Sequence, residues 1–230
     1  MTLEVSLNLD IEKIIRTRRK TIALQVTSEG ELIVRAPLKI SNETIMSVVL
    51  KHRKWIEEKK KEALLKKEKN PPKKFVSGEE FLYLGKPYKL KIVENQREPL
   101  KFDNGFFLSE YYTSVAKEIF TGWYREKARK KLHERVEFYA SRNMFKYHSI
   151  RITSAKKTWG SCSAKGNLNF TWRLIMAPLE VLDYVVVHEL AHLEIKNHSK
   201  IFWTKVRSMM PDFENHREWL KENGYLLNLF

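Results

Sequence analysis

The chain has 230 residues, of which 43% are hydrophobic and 12% aromatic, a composition typical of a globular protein and not of a disordered one. No apolar run approaches the roughly 18 residues that a membrane-spanning helix requires, so we expect no membrane insertion. Acidic residues occupy the N-terminal stretch where a signal peptide would be basic and then apolar, and the single cysteine, Cys162, cannot form an internal disulfide. We therefore expect a cytoplasmic protein.

The formal net charge is +15, from 43 Lys and Arg against 28 Asp and Glu. A balance this basic attracts polyanions, so a nucleotide or a nucleic acid is a candidate partner. The most basic stretch, residues 51–74, also carries four Glu and has Trp55 as its only aromatic residue. Surfaces that bind single strands interleave aromatic with basic side chains, so this stretch is better interpreted as a solvated helix.

The first half of the chain predicts short strands around one long helix. Residues 21–36 alternate apolar and polar side chains on both sides of Gly30, which is typical of a β-hairpin. Ser41 can cap a helix that continues to about residue 69, where two prolines follow. Glycine-containing turn signals then divide residues 75–108 into short strands.

The second half predicts helices around a small sheet. Apolar residues recur at helical spacing from about residue 114 to residue 143. Two short strands and three helices are expected after them, over residues 149–152 and 167–172, and over residues 178–196, 200–209 and 214–222. This order predicts an α+β fold, with a β-rich region and one long basic helix in residues 1–110 and a catalytic domain in residues 111–230.

The most informative segment is His188-Glu189-Leu190-Ala191-His192, inside a predicted helix. Residues four apart lie on one helix face, so both imidazoles can reach the same metal ion. Zinc binds neutral histidine nitrogens and lowers the pKa of a bound water to about 7, while Glu189 can accept a proton from that water. About 0.03 matches to this pattern are expected by chance from the composition, so we predict a zinc hydrolase with Glu189 as its general base.

A catalytic zinc needs a third protein ligand, and the residues leave two candidates. His198 lies six residues after His192, so the chain has to turn between them, and Asn197 tolerates the left-handed conformation that ends many helices. Glu214 is the competing candidate, because a following helix could present its carboxylate to the metal. Of the two, we predict His198 as the third ligand.

Further recognisable segments surround the motif, namely Lys157–Ser163, Asn167–Asn169, Trp172–Leu174, Asp183–His192, Asn197–Ser199 and Phe202–Trp203. Together they resemble the YgjP-like metallopeptidase family, which is related to the SprT-like proteases and belongs to the zincin group. The resemblance is dense over residues 150–220 and looser over the N-terminal hairpin and helix. It implies a zincin-like catalytic domain, a zinc ion, three histidine ligands at positions 188, 192 and 198, and Glu189 as the catalytic residue.

The chain departs from related families at two positions. Members of the YgjP-like family usually carry an arginine directly before Trp-Gly-Ser-Cys, where this chain has Thr158, so the role of that arginine is not carried over. The spacing of the histidines also matches metzincins, but those need a glycine where this chain has Ile195. We therefore do not assign the chain to the metzincins.

Four more residues have both a functional and a purely structural interpretation. Asp183 could orient a ligand histidine through a hydrogen bond, or it could favour the positive end of its own helix. Asn167 and Asn169 are candidate substrate-binding residues, because residues 167–172 could be the edge strand along which zincins lay an extended peptide. Cys162 could be a nucleophile, but a small residue in a tight loop is the better interpretation.

Three functions are consistent with these observations. The leading hypothesis is a metallopeptidase that cleaves a peptide or protein substrate with zinc and Glu189. The alternatives are a metal-dependent phosphohydrolase acting on nucleotides, motivated by the charge and by Thr158, and a DNA-associated SprT-like protease. A nucleic-acid-associated protein whose metal site is structural or vestigial is a further alternative, but a purely structural site has no need of a base, so the presence of Glu189 argues against it.

Overall fold

The computed structural model is described for residues 10–228, and it divides into two compact units between Pro71 and Pro72. Each unit has its own core of buried apolar side chains. The mixture of helices and strands confirms the predicted α+β class. No helix among the described residues is both long and apolar enough to span a membrane.

In the first unit, a three-stranded sheet packs against two helices. The strands are β1 (Ile11–Thr17), β2 (Ala23–Val26) and β3 (Leu32–Pro37), and β3 lies in the centre, parallel to β1 and antiparallel to β2. β2 and β3 form the predicted hairpin, whereas the sequence pattern does not predict β1. The helices are α1 (Asn42–Lys51) and α2 (Arg53–Lys69), so the single predicted helix is interrupted at His52.

The second unit begins with a four-stranded sheet. Its strands are β4 (Glu80–Tyr83), β5 (Lys86–Val93), β6 (Leu100–Phe102) and β7 (Phe106–Ser109), in the order β4-β5-β7-β6. Phe81 and Phe106 pack against Phe120 of the following helix. Their ring centroids lie 4.3 and 5.1 Å, respectively, from the ring centroid of Phe120. The boundary that we predicted after residue 110 therefore falls inside this unit, because the sheet and that helix share one core.

The long helix α3 (Ala116–Arg142) connects most parts of the second unit. Its buried side chains recur at every fourth position, at Ala116, Phe120, Tyr124, Ala128, Leu132, Val136 and Ala140. A helical turn takes 3.6 residues, so each step of four advances about 40° further around the axis and the buried stripe winds around the helix. α3 therefore meets the four-stranded sheet near its start, Trp172 in its middle and a later helix near its end.

A second sheet precedes the motif. Its strands are β8 (Ser149–Thr153), β9 (Gly160–Cys162) and β10 (Asn167–Thr171), and β10 lies in the centre, parallel to β8 and antiparallel to β9. The interpretation of residues 167–172 as an edge strand is therefore wrong, and β9 is an edge instead. The short Gly-Ser-Cys segment of β9 has no alternating pattern that would predict a strand, so its pairing is decided by tertiary structure.

Three helices complete the second unit: α4 (Leu179–Glu194), α5 (Lys200–Met209) and α6 (Phe213–Asn223). The turn between β4 and β5 holds the start of α4, since the N–H of Gly85 donates to the carbonyl oxygen of Met176 at 3.1 Å. Gly85 has a φ of +78°, and a Cβ there would lie 2.8 Å from the Cα of Pro178. Only glycine satisfies both conditions, so this turn fixes where α4 begins.

Candidate metal centre

Three imidazole rings converge at the end of α4. His188 and His192 lie one turn apart on that helix, and His198 comes from the segment between α4 and α5. The Nε2 atom of His198 is 3.0 Å from Nε2 of His188 and 3.2 Å from Nε2 of His192. Over residues 10–228, these three form the one group of His, Cys, Asp or Glu side chains whose ligand atoms come together as a metal site requires.

The chain turns back between the second and third histidines without a left-handed residue at Asn197. α4 ends instead at Ile195, which is extended with φ −120° and ψ 106°, and whose N–H still donates to the carbonyl oxygen of Ala191 at 3.0 Å. The Asn197 side chain stabilises the turn differently, since its Oδ1 accepts from the N–H of Ser199 at 3.3 Å. The expectation for the Asn197 backbone is therefore wrong, although the chain does turn there.

Metal binding requires neutral histidines, and the surroundings of His188 and His198 favour that form. Burial, reinforced by the neighbouring His192 and His198, lowers the pKa of His188 to about 3. Burial also lowers the pKa of His198. The Nδ1 of His192 lies 2.9 Å from the carbonyl oxygen of Ile195, which can only accept, so this nitrogen carries the hydrogen and Nε2 keeps its lone pair. The Nε2 atoms of the three histidines together form a donor set that fits zinc.

A buried phenylalanine ring packs against all three histidines of the cluster. The ring centroid of Phe202 lies 4.9 Å from His188, 4.5 Å from His192 and 4.9 Å from His198, and Phe202 itself is fully buried. The Nδ1 of His188 is buried and has no hydrogen-bond partner in the part of the chain described. Packing against Phe202, rather than a hydrogen bond, therefore orients the His188 ring.

Glu189 lies beside this cluster but is not a member of it. Its side chain is buried, with 5% of the residue exposed, and burial raises the pKa of its carboxyl to about 8. The carboxylate rests against β9, because a Cβ on Gly160 would lie 2.6 Å from its Oε1. Gly160 is thus required by the close approach of the carboxylate.

The edge of β9 next to Glu189 carries unpaired backbone groups. The N–H of Thr171 donates to the carbonyl oxygen of Trp159 at 2.9 Å, and the N–H of Ser163 donates to that of Asn167 at 3.0 Å. Hydrogen-bonded pairs alternate along an antiparallel ladder, so the backbone groups of the intervening Gly160 point away from β10. An extended peptide could pair with this edge.

The two candidate substrate-binding asparagines make hydrogen bonds within the sheet. The Asn167 side chain accepts from the Ser149 hydroxyl at 2.7 Å and lies 3.2 Å from the Ser163 hydroxyl. The Asn169 amide donates to the Ser161 hydroxyl at 3.1 Å. Side chains alternate along a strand, so Asn169 lies on the sheet face opposite to the one that meets Glu189. There it lines a cavity of about 230 Å³, together with Thr153, Ala155, Thr158, Trp159, Gly160, Ser161 and Thr171.

Asp183 is joined to α3 and not to a histidine. Its two carboxylate oxygens each accept from the Arg135 guanidinium at 2.6 Å, and the Tyr139 hydroxyl lies 3.3 Å from one of them. Burial raises the pKa of Asp183, and the hydrogen bonds from Arg135 oppose that shift. Asp183 precedes His188 by five residues, which places it about 140° away around the helix axis. Its hydrogen bonds therefore support the packing of α4 on α3.

The other candidates lie outside the cluster. Glu214 is exposed on α6 and pairs with Arg207 at 2.8 Å. Cys162 is a half-buried free cysteine, and burial raises the pKa of its thiol, which does not favour a nucleophilic thiolate. The sequence marks Trp203 only as part of the family resemblance, and sequence reasoning missed Arg217, because no pattern distinguishes it from ordinary helix residues.

Known proteins with similarity to this chain include metallopeptidases. A family model of the YgjP-like metallopeptidase domain matches residues 20–223. No curated protein sequence matches the chain. Among solved structures, the metallopeptidase zymogen abylysin of Pyrococcus abyssi is 23% identical, over 39% of this chain and 93% of its own, with a TM-score of 0.36. The metallopeptidase zymogen jannalysin of Methanocaldococcus jannaschii is 21% identical, over 40% and 95%, with a TM-score of 0.34. Because the family model matches most of the chain, the chain belongs to the YgjP-like metallopeptidase family.

Proposed function

We propose that this protein is a zinc-dependent peptidase in which His188, His192 and His198 hold the metal and Glu189 is the general base. The observation that carries the proposal is the convergence of three imidazole nitrogens next to the buried carboxyl group of Glu189. Membership of a metallopeptidase family supports a peptide or protein as substrate. Three imidazoles also leave a position open for water, as catalytic zinc requires.

When bound, zinc would supply Lewis-acid polarisation of the scissile carbonyl and a more acidic water. Glu189 takes a proton from the attacking water and later gives it to the nitrogen of the leaving amine. Burial raises the pKa of the carboxyl to about 8, which makes its carboxylate a stronger base, and the positive charge of a bound metal would favour the ionised form that accepts the proton. The substrate backbone pairs with the free edge of β9 at Gly160, which brings a peptide bond next to the carboxylate.

The alternatives based on charge have less support. On the basic helix α2, Arg53 pairs with Glu57 at 2.7 Å and Lys59 pairs with Glu62 at 2.6 Å. The hydrogen bonds from the lysines lower the pKa of Glu62 to about 2, so it remains charged at neutral pH. A helix face with these carboxylates repels phosphate as well as attracting it. We therefore favour the peptidase over a nucleotide phosphohydrolase or a DNA-associated protease.

The proposal is tested by comparing the zinc-loaded wild type with Glu189→Gln on labelled casein. We expect Glu189→Gln to keep zinc and to lose about 10²–10⁴-fold in turnover, because an amide cannot accept the proton. His188→Ala and His192→Ala should lose the metal, whereas the control Glu214→Gln should retain about one zinc per chain. Unchanged turnover in zinc-loaded Glu189→Gln would refute the mechanism, and full zinc retention in both histidine variants would refute the metal site.

A further inference from the structure

An arginine on α6 lies beside the histidine cluster. The guanidinium of Arg217 sits over the indole ring of Trp203, with its carbon 4.7 Å from the ring centroid. The same indole stacks on His198, with centroids 5.7 Å apart and planes 26° apart, and it lies 5.8 Å from His188. Arg217 and two of the three histidines, His188 and His198, therefore lie next to the same indole ring.

The indole itself has a fixed position. Phe213 stacks on Trp203 with centroids 5.4 Å apart and planes only 12° apart, and Phe213 is buried. Phe213 also stacks on Tyr184, which lies one turn before His188 on α4. This column of rings ties α6 to α4, so the backbone that carries Arg217 is positioned relative to the metal centre.

The charge of Arg217 is not neutralised by the protein. Among the residues that the structure describes, no Asp or Glu forms an ion pair with it, although neighbouring Glu214 and Glu218 pair with Arg207 and Lys221. The Arg217 side chain is exposed at the surface next to the cluster. A guanidinium without a carboxylate partner retains five N–H donors for an incoming anion or a developing negative charge.

Arg217 and Glu189 are held next to the cluster by different elements. Glu189 rests against β9, whereas Arg217 approaches from α6 across Trp203. The base and the cation therefore flank the cluster from separate elements.

We propose that Arg217 is a catalytic residue that donates hydrogen bonds to the scissile carbonyl oxygen as this oxygen becomes negatively charged, and that Trp203 positions it. The inference rests on the proposed peptidase function and adds the group that stabilises its transition state. Donors aimed at developing charge are a large source of catalysis, and the loss of one such donor typically lowers kcat by about 10²–10³-fold.

The step balances with the residues present. The water oxygen bonds to the carbonyl carbon, one water proton moves to Glu189, and the π electron pair of the carbonyl moves onto its oxygen. Arg217 donates to that oxyanion and is not itself deprotonated. The carbonyl then re-forms as the C–N bond breaks, and the proton held by Glu189 moves to the nitrogen of the leaving amine.

The test compares Arg217→Gln and Arg217→Lys with a matched control, Arg207→Gln. Arg207 is also exposed and also lies over an aromatic ring of the column, 5.6 Å from Phe213, but it already pairs with Glu214. All proteins are loaded with zinc, checked for zinc content, and assayed on labelled casein and on a fluorogenic peptide selected from a library with the wild type. The affinity of a phosphinic analogue of that peptide is measured by calorimetry.

For Arg217→Gln we expect kcat to fall about 10²-fold with KM changed by less than about threefold, because the interaction forms in the transition state. Affinity for the phosphinic analogue should fall in parallel with kcat/KM, and Arg217→Lys should recover part of both. In a further variant, Arg217→Ala, guanidinium chloride below denaturing concentration should restore part of the turnover by supplying the missing group. Zinc content should stay the same in every variant, and Arg207→Gln should behave as the wild type.

Three results would overturn the assignment. A rise in KM with unchanged kcat would show that Arg217 binds the ground state only. Equal, small effects of Arg217→Gln and Arg207→Gln would show that Arg217 has no special role. A zinc-loaded wild type that cleaves neither casein nor any library peptide would refute the peptidase proposal and this inference together, whereas the first two results leave the peptidase proposal intact.

Discussion

At the scale of single residues, the candidate site depends on how closely the backbone of β9 approaches the carboxylate of Glu189. A side chain at position 160 would overlap the carboxylate of Glu189, with contacts of 2.6 Å to Oε1 and 2.7 Å to Cγ. Real Cβ atoms do not come this close to another heavy atom, so either β9 or Glu189 would have to move. Glycine at this position therefore keeps the base next to the strand where we place the substrate.

We accordingly expect Gly160→Ala to lower turnover about 10²-fold while zinc content stays at one per chain, because a displacement of about 1 Å at a catalytic group has an effect of that size. Steady-state kinetics and metal analysis check this. The control is Gly122→Ala on α3, because a Cβ at that position meets nothing within 4 Å. This variant should leave turnover unchanged. Normal turnover in Gly160→Ala would contradict the role of this contact.

At the scale of elements, α4 is held by α3 through a buried ion pair. Arg135 and Asp183 are joined by two hydrogen bonds of 2.6 Å, and their side chains are only 17% and 7% exposed. The hydrogen bonds that Arg135 donates to Asp183 raise the pKa of the guanidinium, so the arginine stays charged. Removing one partner would leave the other charge buried without compensation.

Asp183→Asn should therefore lower the free energy of unfolding by about 3 kcal/mol, because it leaves the Arg135 charge without its partner. The double variant Arg135→Met with Asp183→Leu should lose less, since no buried charge remains. Denaturant unfolding of both proteins measures the difference. The control is Glu134→Gln, which removes an exposed pair with Lys131 and should change stability by less than about 1 kcal/mol. A larger loss in the double variant than in Asp183→Asn would contradict this account.

At the scale of the whole molecule, the second unit, which begins at Pro72, contains both a large core and the candidate site. The four-stranded sheet, α3 and the motif helix all contribute to one large cluster of buried apolar residues. Among the described residues, the first unit has a separate core of six buried side chains, Leu32, Val34, Ala36, Ile45, Val49 and Ile56. A core that small stabilises a fold only marginally.

A fragment of residues 72–230 should therefore fold and bind about one zinc per chain without the first unit. Its melting temperature should rise with added zinc and fall with a chelator, because a ligand that binds only the folded state stabilises it. Calorimetry and metal analysis of the purified fragment, beside the full chain, check this. An unfolded fragment, or a folded one without zinc, would show that the second unit depends on the first.

The net charge of +15 also belongs to the whole molecule. Because lysines of α2 are paired with its glutamates, we expect no complex with DNA at about 0.15 M salt in a fluorescence anisotropy titration. The comparison is a titration at low salt, where weak unspecific attraction should become measurable. A submicromolar complex at the higher salt, weakened steeply by further salt, would favour the DNA-associated protease instead.

The sequence by itself determined the family, the α+β class and the helix that carries the motif. These features depend on local patterns, since the four-residue spacing of His188 and His192 and the apolar periodicity around them are properties of neighbouring residues. The hairpin formed by β2 and β3 belongs to the same group, because a short turn at Gly30 connects its strands.

Only the tertiary structure decided which side chains surround the motif. The partner of Asp183 lies 48 residues away, and the Gly-Ser-Cys segment becomes an edge strand only by pairing with β10. Likewise, Arg217 approaches the histidines because rings from α4, α5 and α6 stack in one column. Such contacts join residues that are distant along the chain, and they depend on how whole elements pack, which no local spacing of one sequence encodes.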